Sequence, residues 1–467
     1  MSHERSLVGN AMAQTAWMRA IENIVGADDV ITGSDAEPFA IDGKMPHAVV
    51  FPRTIKEISS IMAIASDAAL KVIPWGAGSQ MALGAIPAQV DLVVALKHLK
   101  QVVDHEWGDM TATVQGGMRL ADFQQVLGRH EQFLPLDPPF AGQATVGGLL
   151  ATNASGPRRL FYGTARDLLI AIKIVHADGT VTKGGAKVVK NVSGYDMNKL
   201  YIGSLGTLGI IVEATFRVYP RIAWEKTWLA PFPALDQAQA AIAGIMDSSL
   251  VPNALELLDK DAARRVTTKA HIAWTEGPYA LAASVGSVAE QAVDAQIEAI
   301  GRISAKAGSP EGSLLQDAAH DSFWREARDI TPGKNGAAPR HLRAILKGGV
   351  LISKLAEAFR VGEQVASAQG LDLSIVAEAG SGIVRYYVSA EDHDSHEFVE
   401  KAAATVERIR SACVAQEGSL IILEGEAALK ARTDVWGPVK GLKLMQGIKA
   451  RFDPRQTLNP GRFVGGI

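Results

Sequence analysis

The sequence predicts an α+β chain of more than one domain, and three observations carry that prediction. At 467 residues it exceeds what one hydrophobic core usually organises. Up to Pro220, strand, helix and strand succeed one another with glycine-rich links. Beyond Pro220 the glycine density falls, and long helices alternate with strand-like runs, which reads as an antiparallel sheet with helices on one face.

The elements follow in order. Residues 1–40 read as a helical lead-in. "HAVVFP" (47–52) is a buried strand, and "TIKEISSIMAIASDAAL" (54–70) an amphipathic helix with Ile55, Ile58, Ile61 and Met62 on one face. Thr54 and Glu57 have the spacing of a capping box. "KVIP" (71–74) closes a strand–helix–strand unit, which calls for a right-handed parallel crossover. "DLVVAL" (91–96) and "MTATVQGG" (110–117) are strands. "MRLADFQQVLGRH" (118–130) is a helix with Leu120, Phe123, Val126 and Leu127 inward, and "HADG" (176–179) is a hairpin turn. Further on, "YALAASVGS" (279–287), "LRAILKG" (342–348), "LSIVAEA" (373–379), "GIVRYYVSA" (382–390) and "SLIILEG" (419–425) alternate with helices at 287–306, 352–368 and 395–415. "GIKARFDPRQTLNPGRF" (447–463) is a helix followed by an extended tail.

Composition narrows the function. The chain is 47% hydrophobic and 21% charged, which suits a packed core rather than disorder. A net charge of −3 without any basic run disfavours nucleic acid and anionic membrane surfaces as partners. The N-terminus lacks the apolar core of a secretory signal, and no stretch approaches the roughly 18 apolar residues of a spanning helix. Cys413 is the single cysteine, which excludes a disulfide within the chain and an all-cysteine iron–sulfur cluster. The expectation is a cytoplasmic enzyme.

Three stretches concentrate small residues: "PWGAGSQ" (74–80), "GQATVGGLLATNASGPRR" (142–159) and "GSLGTLGII" (203–211). Glycine lets a ligand approach backbone N–H groups, and successive N–H groups form a concavity that suits phosphate. Three such loops point to a long phosphate-bearing ligand, although each alone reads more readily as a plain turn. A Walker P-loop string is missing, and "GAGSQM" lacks the third glycine of the dinucleotide fingerprint. Arg158 and Arg159 read either as a solvated pair or as support for negative charge. His393 and His396 read as solvated helix-start residues or as metal ligands. Arg385 and Tyr387 share one strand face, as a carboxylate clamp or an edge salt bridge. Glu424, Glu426 and Trp436 are candidates to line a pocket, and Arg462 to border it.

The ordered set "HAVVFPRTIKEISSIM", "IPWGAGSQ", "TVQGGMRLADF", "ATVGGLLATNASG", "GYDMNKLYIGSLGTLGIIVEA" and "FDPRQTLNPGR" is similar to the FAD-linked oxidases of the vanillyl-alcohol-oxidase / p-cresol-methylhydroxylase superfamily. "SGPRRLFYGTARDLL" and "AKVVKNVSGYDMNKL" most resemble the smaller FAD-binding subunit of bacterial glycolate oxidase. The resemblance implies a two-subdomain PCMH-type FAD-binding domain over 41–222, a cap domain that meets substrate over 223–440 and a C-terminal arm at 441–467 that returns to the FAD domain. It places the pyrophosphate on Gly76, Ala77, Gly78, Ser79 and Gln80. Ala144, Thr145, Gly147, Gly148, Thr152, Asn153, Ser155 and Gly156 would line the ribityl chain and ring edge. Gly203, Gly206 and Gly209 would clear space for the adenine half, with Ile211 touching it by backbone. Lys190, Tyr195 and Asp196 match family positions. Some relatives tether the flavin through a histidine near the first loop; this loop has none, so the implied FAD is non-covalent. Metal-dependent D-lactate and D-2-hydroxyglutarate dehydrogenases of the superfamily carry a motif resembling H-x-G-D-G-N-x-H, and this sequence has no such string, so no metal is expected. The implied activity is oxidation of a small 2-hydroxy acid such as glycolate or D-lactate. The implied partners are a larger flavin subunit and an iron–sulfur subunit, through which the protein would reach a membrane. The alternatives are an FAD-binding assembly or relay subunit and a standalone oxidase of another alcohol.

Overall fold

The computed structural model describes residues 16–186, 196–274, 277–330, 343–390 and 395–467. The first sheet has the order Val30–Thr32, Ala48–Val50, Leu92–Ala95, Val72–Trp75. Its last three strands are parallel, as the crossover requires, yet the two strands flanking the helix Ile55–Asp67 are not neighbours. Leu92–Ala95 lies between them, and its four residues are all buried, which is the central position an uninterrupted apolar run asks for. Ile58, Ile61 and Met62 are fully buried on the helix, while Ile55 is only half-buried. Thr54 accepts a hydrogen bond from the Glu57 N–H at 3.1 Å, but the Glu57 carboxylate accepts from the Arg53 N–H at 2.7 Å, one residue outside the expected box. The lead-in is not a separate element. Trp17 and Ile21, on a helix over 16–25, pack into this sheet's core, and Val30–Thr32 forms its edge.

The second sheet is antiparallel, ordered Val102–Glu106, Thr111–Gln115, Ile210–Arg217, Leu169–Val175, Val181–Gly185, with the expected hairpin at His176–Gly179. Its central strand explains the aliphatic run after the third glycine stretch. Ile211, Ala214 and Phe216 enter one core, while Ile210 and Val212 point into the core shared with the first sheet. One strand therefore joins the two subdomains.

The third sheet has eight antiparallel strands, ordered Ser313–Gln316, Trp224–Phe232, Tyr279–Ser287, Ala254–Asp259, Asp372–Glu378, Ile383–Ser389, Arg343–Gly349, Ser419–Gly425. One face lies under four helices, Leu235–Met246, Glu290–Lys306, Leu355–Gln369 and Ser395–Ala415. The other is not bare as expected. Helices Lys260–Lys269 and Asp317–Arg328 cover part of it, packing Ala262, Val266, Phe323 and Trp324 on Leu229, Leu258 and Ala282. The uncovered remainder faces the first two sheets.

The C-terminal helix Leu442–Phe452 leads into an arm that binds back on them. Lys449 is buried, and its ammonium donates to the Thr207 carbonyl (2.9 Å), the Leu458 carbonyl (2.8 Å) and the Asp453 carboxylate (2.6 Å). Asp453 in turn accepts from the N–H groups of Thr457 and Leu458. The arm then pairs with the edge of the first sheet, through Val72 N–H to Thr457 (2.7 Å) and Asn459 N–H to Val72 (2.8 Å). Lys449→Met leaves Asp453 buried without its cation and is expected to cost about 3–5 kcal/mol in urea unfolding. Lys449→Met with Asp453→Asn is expected to recover part of that loss, and equal losses in the two variants would contradict the pairing.

Candidate functional site

Strand Val72–Trp75 ends in the first glycine-rich loop, which lies against Thr145. A Cβ on Gly76 would stand 2.1 Å from the Thr145 hydroxyl oxygen, so only glycine lets the loop and that threonine touch. Thr145 caps the short helix Val146–Thr152 by accepting from the Gly148 N–H. Between these segments runs a narrow cavity of about 80 Å³, bordered by residues 76–81, Ala144, Thr145, Gly148, Thr152, Leu205 and Gly206. Asn459 and Arg462 of the arm close it.

Arg462 is 1% exposed, yet its contacts are neutral. Nη2 donates to the Met81 and Leu83 carbonyls, each at 2.6 Å, and Nη1 approaches the Asn459 amide oxygen at 3.4 Å. Nε has no hydrogen-bond partner among the described residues. Burial pulls this guanidinium down to about 10, against the more distant charge of Asp42. Lys430, whose side chain is fully buried, ties Asp42 to the Ala82 carbonyl beside it. The narrow cavity thus has a buried positive charge with no carboxylate in contact, which suits an anionic ligand.

Ser79, Gln80, Ala151, Thr152 and Leu205 also border a second cleft, of about 160 Å³, roofed by the uncovered face of the eight-stranded sheet. Ile345, Lys347, Arg385, Tyr387, Ile421 and Leu423 come from that face, with Arg328, Glu424 and Trp436 at the margins. Lys347 and Arg385 stand directly opposite one another on paired strands. Like charges in that position repel, and the neighbours show how the repulsion is contained. Arg385 donates from Nη2 to Glu378 at 2.5 Å and to the Ser155 carbonyl at 3.4 Å. Burial, then the charge of Arg385, pushes Lys347 down to about 8. The Asn153 amide oxygen, the Ser155 hydroxyl and Arg328 Nε are buried with no partner among the described residues.

Most of the residues singled out by sequence converge here. Gly76, Ala77, Gly78, Ser79, Gln80, Ala144, Thr145, Gly148, Thr152, Ser155, Gly203, Gly206, Arg385, Tyr387, Glu424, Trp436 and Arg462 border one cavity or the other. Gly147, Asn153, Gly156, Gly209 and Ile211 do not. The clearance expected for a ligand at Gly209 is clearance for the protein: a Cβ there would stand 2.2 Å from Ile174 Cγ2. Likewise a Cβ on Gly156 would meet the Asp137 carbonyl at 1.9 Å. Gly203 and Gly206 have left-handed φ angles of 78° and 71°, a turn requirement first. Arg158 points away from the cleft, into an ion pair with Glu225 (2.8 Å) and over the Phe133 ring. Arg159 lies 3.8 Å from Glu378, behind Arg385. Lys190, Tyr195 and His393 lie outside the described residues; Asp196 pairs with Lys199. Lys347 and Arg328 escaped the sequence reading. Alternation along "RAILK" sets Lys347 on the same face as Ile345, the one available signal.

Residues 46–185 match the family described as FAD binding domain, and 222–463 match FAD linked oxidases, C-terminal domain. The chain is 29% identical over 427 residues to glycolate oxidase subunit GlcD of Bacillus subtilis (strain 168), covering 90% of this chain and 89% of that one. It is 26% identical over 474 residues to D-lactate dehydrogenase of Anaerostipes hadrus, covering 95% of each. Among solved structures, p-cresol methylhydroxylase with substrate bound superposes with a TM-score of 0.74 at 16% identity, over 96% of both chains, a likeness of fold. Gly76→Ala is expected to lower the melting temperature by about 1–3 °C, because the methyl group must displace the Thr145 cap, worth about 1 kcal/mol, or the loop itself. Gly108→Ala, whose Cβ would meet nothing within 4 Å, is the control and is expected to leave it unchanged.

Proposed function

This chain belongs to the FAD-linked oxidases and is an FAD-dependent oxidoreductase, and on that premise we propose that it oxidises a small 2-hydroxy acid, glycolate or a D-lactate-like molecule, to the 2-oxo acid. The residues present fit FAD. The narrow cavity presents glycine-lined backbone and the buried charge of Arg462 where a pyrophosphate would need both, and Ser155, whose buried hydroxyl has no partner among the described residues, borders the cleft. The loop 74–85 has no histidine to tether the ring, which supports dissociable FAD.

The observation that carries the substrate class is the set of three cations, Arg328, Lys347 and Arg385, on a cleft whose border also includes the apolar Ile345, Ile421, Leu423 and Trp436 and the carboxylate Glu424. Fixed positive charge in apolar surroundings selects an anionic substrate and orients it. In our assignment Lys347 and Arg328 hold the carboxylate, and the small apolar walls limit the rest of the molecule. FAD, when bound, supplies the acceptor for the two electrons that leave with the α-hydrogen as hydride. The hydroxyl proton leaves to a base or water in the cleft as the carbonyl forms. With one cysteine the chain does not build its own iron–sulfur relay, which supports work as one subunit of a glycolate oxidase-type complex.

Anaerobic glycolate or D-lactate is expected to bleach the oxidised-flavin band of the purified chain, and acid precipitation to release the flavin into the supernatant. A flavin band that no 2-hydroxy acid bleaches would favour the relay-subunit reading, or another alcohol as substrate. Lys347 is cationic below its value of about 8 and neutral above it. The KM for a 2-hydroxy acid is therefore expected to rise as pH passes 8, up to about tenfold per pH unit. Lys347→Met is expected to raise KM at pH 7 and to flatten this dependence; a KM that keeps the wild-type pH profile in the variant would remove Lys347 from the carboxylate site.

A further inference from the structure

The hairpin between strands Asp372–Glu378 and Ile383–Ser389 reads Glu378-Ala-Gly-Ser-Gly-Ile-Val-Arg385. The metal motif of the dehydrogenases that this chain resembles, H-x-G-D-G-N-x-H, has its glycines at the same two places. Aligned on Gly380 and Gly382, Glu378 and Arg385 occupy the positions of the two histidines. These residues do not fit a metal ion. An arginine donates hydrogen bonds and keeps its charge, so it repels a cation rather than ligating one. The one carboxylate between them is already engaged by Arg385, with Arg159 3.8 Å from its other oxygen. Among the described residues no group of three His, Cys, Asp or Glu side chains is arranged to hold a metal.

We propose that Arg385, clamped by Glu378, supplies the fixed positive charge facing the substrate's hydroxyl oxygen, so that this chain oxidises its substrate without a metal. The proposal rests on the 2-hydroxy acid reading of the cleft. A metal ion in such a site stabilises charge on an oxygen as its proton leaves. A guanidinium held in a water-poor cleft does the same through charge-assisted hydrogen bonds. Both described bonds of Arg385 leave from Nη2, towards Glu378 and Ser155, while the guanidinium borders the cleft. Glu378 is 2% exposed and Arg385 8%, so the pair is held in one geometry by its surroundings.

The charge balance points the same way. Glu256 stands directly opposite Glu378 on the next strand and is 1% exposed. Burial, then the Glu378 charge, raises Glu256 well above the ordinary carboxyl range, which disfavours a second negative charge beside Glu378. Burial works against the charge of Arg385, but the surrounding acidic groups, Glu378 first among them, together outweigh it and raise the guanidinium above its ordinary range. One charged carboxylate between Arg159 and Arg385 leaves the cluster with a net positive charge, and Lys347 adds another.

The test uses the purified FAD-loaded chain. Metal content by inductively coupled plasma mass spectrometry is expected to show no stoichiometric zinc, manganese or iron. Anaerobic flavin bleaching by the 2-hydroxy acid is expected to be unchanged by EDTA or by added Zn2+ or Mn2+. One bound metal per chain would overturn the proposal whether or not a 2-hydroxy acid bleaches the flavin, which separates its failure from that of the substrate reading. In the second arm, Arg385→Met is expected to slow bleaching about 100-fold with FAD retained, the usual effect of removing one donor to a developing oxyanion. Added guanidinium is expected to restore part of the rate. Because Arg385→Met strands Glu378, the variant Glu378→Gln with Arg385→Met is measured beside it. Wild-type bleaching rates in a folded, FAD-loaded variant of either kind would overturn the role given to Arg385.

Discussion

The buried ammonium of Lys449 is the contact on which the cofactor half of the molecule depends. It binds oxygens from the third glycine stretch, from its own helix end and from the arm beyond, at Thr207, Asp453 and Leu458. A buried charge that loses its partners costs several kcal/mol, so the three segments are strongly favoured in one arrangement relative to one another. From that anchor the arm runs along Val72 and ends with Asn459 bonded to the Leu205 carbonyl and Arg462 bonded to the carbonyls of Met81 and Leu83. Loops that are more than a hundred residues apart in sequence thereby share one wall of one cavity.

The cleft beyond it is organised by the opposite problem, an excess of one charge. Lys347 and Arg385 face each other across paired strands, a placement that costs free energy in a sheet. Two devices hold the cost down: Glu378 neutralises part of the field, and Lys347 gives up its proton near pH 8. Neither removes the positive potential. Groups with perturbed ionisation gathered at one concave surface mark a place shaped for chemistry rather than for stability. The same strand face shows the contrast along its length, since Leu229, Leu258 and Ala282 lie beneath helices Lys260–Lys269 and Asp317–Arg328, where packing decides the residues.

What the sequence made legible was local. Period and composition predicted the helix Ile55–Asp67, the strand Leu92–Ala95, the hairpin at His176 and the long cap helices, because each carries its apolar pattern or its turn residues within its own few residues. The strands Trp224–Phe232 and Ala254–Asp259 were missed, together with the helices Lys260–Lys269 and Asp317–Arg328. The two helices carry few apolar side chains, and their inward positions are filled in part by alanine. The capping box at Thr54 was half legible, because the Glu57 side chain had two N–H groups within reach and took that of Arg53. The three glycine-rich stretches do meet at the two cavities, but the reason for several of their glycines was not visible. Gly209 and Gly156 make room for Ile174 and for the Asp137 carbonyl, and such approaches are fixed by the tertiary path of the chain alone. Lys347 was invisible for the same reason, since its importance comes from Arg385 on another strand.

The two cavities also differ in what occupancy does for the fold. Arg462 is buried against carbonyls and an amide, with Nε unpartnered among the described residues, so the protein alone leaves that charge under-compensated. An anionic ligand in the narrow cavity removes a destabilising feature and adds contacts to three separated segments at once. Binding is then linked to folding, because a ligand that binds only the native state stabilises it by an amount that grows with the logarithm of its concentration above Kd. The cleft behaves differently, since Glu378 already compensates Arg385 there. Its residual positive charge is small enough to persist without substrate and large enough to draw an anion in. The narrow cavity is thus tied to the architecture of the loops and arm, while the cleft stands on one sheet, which is the division that the proposed pairing of a held cofactor with an exchanging substrate calls for.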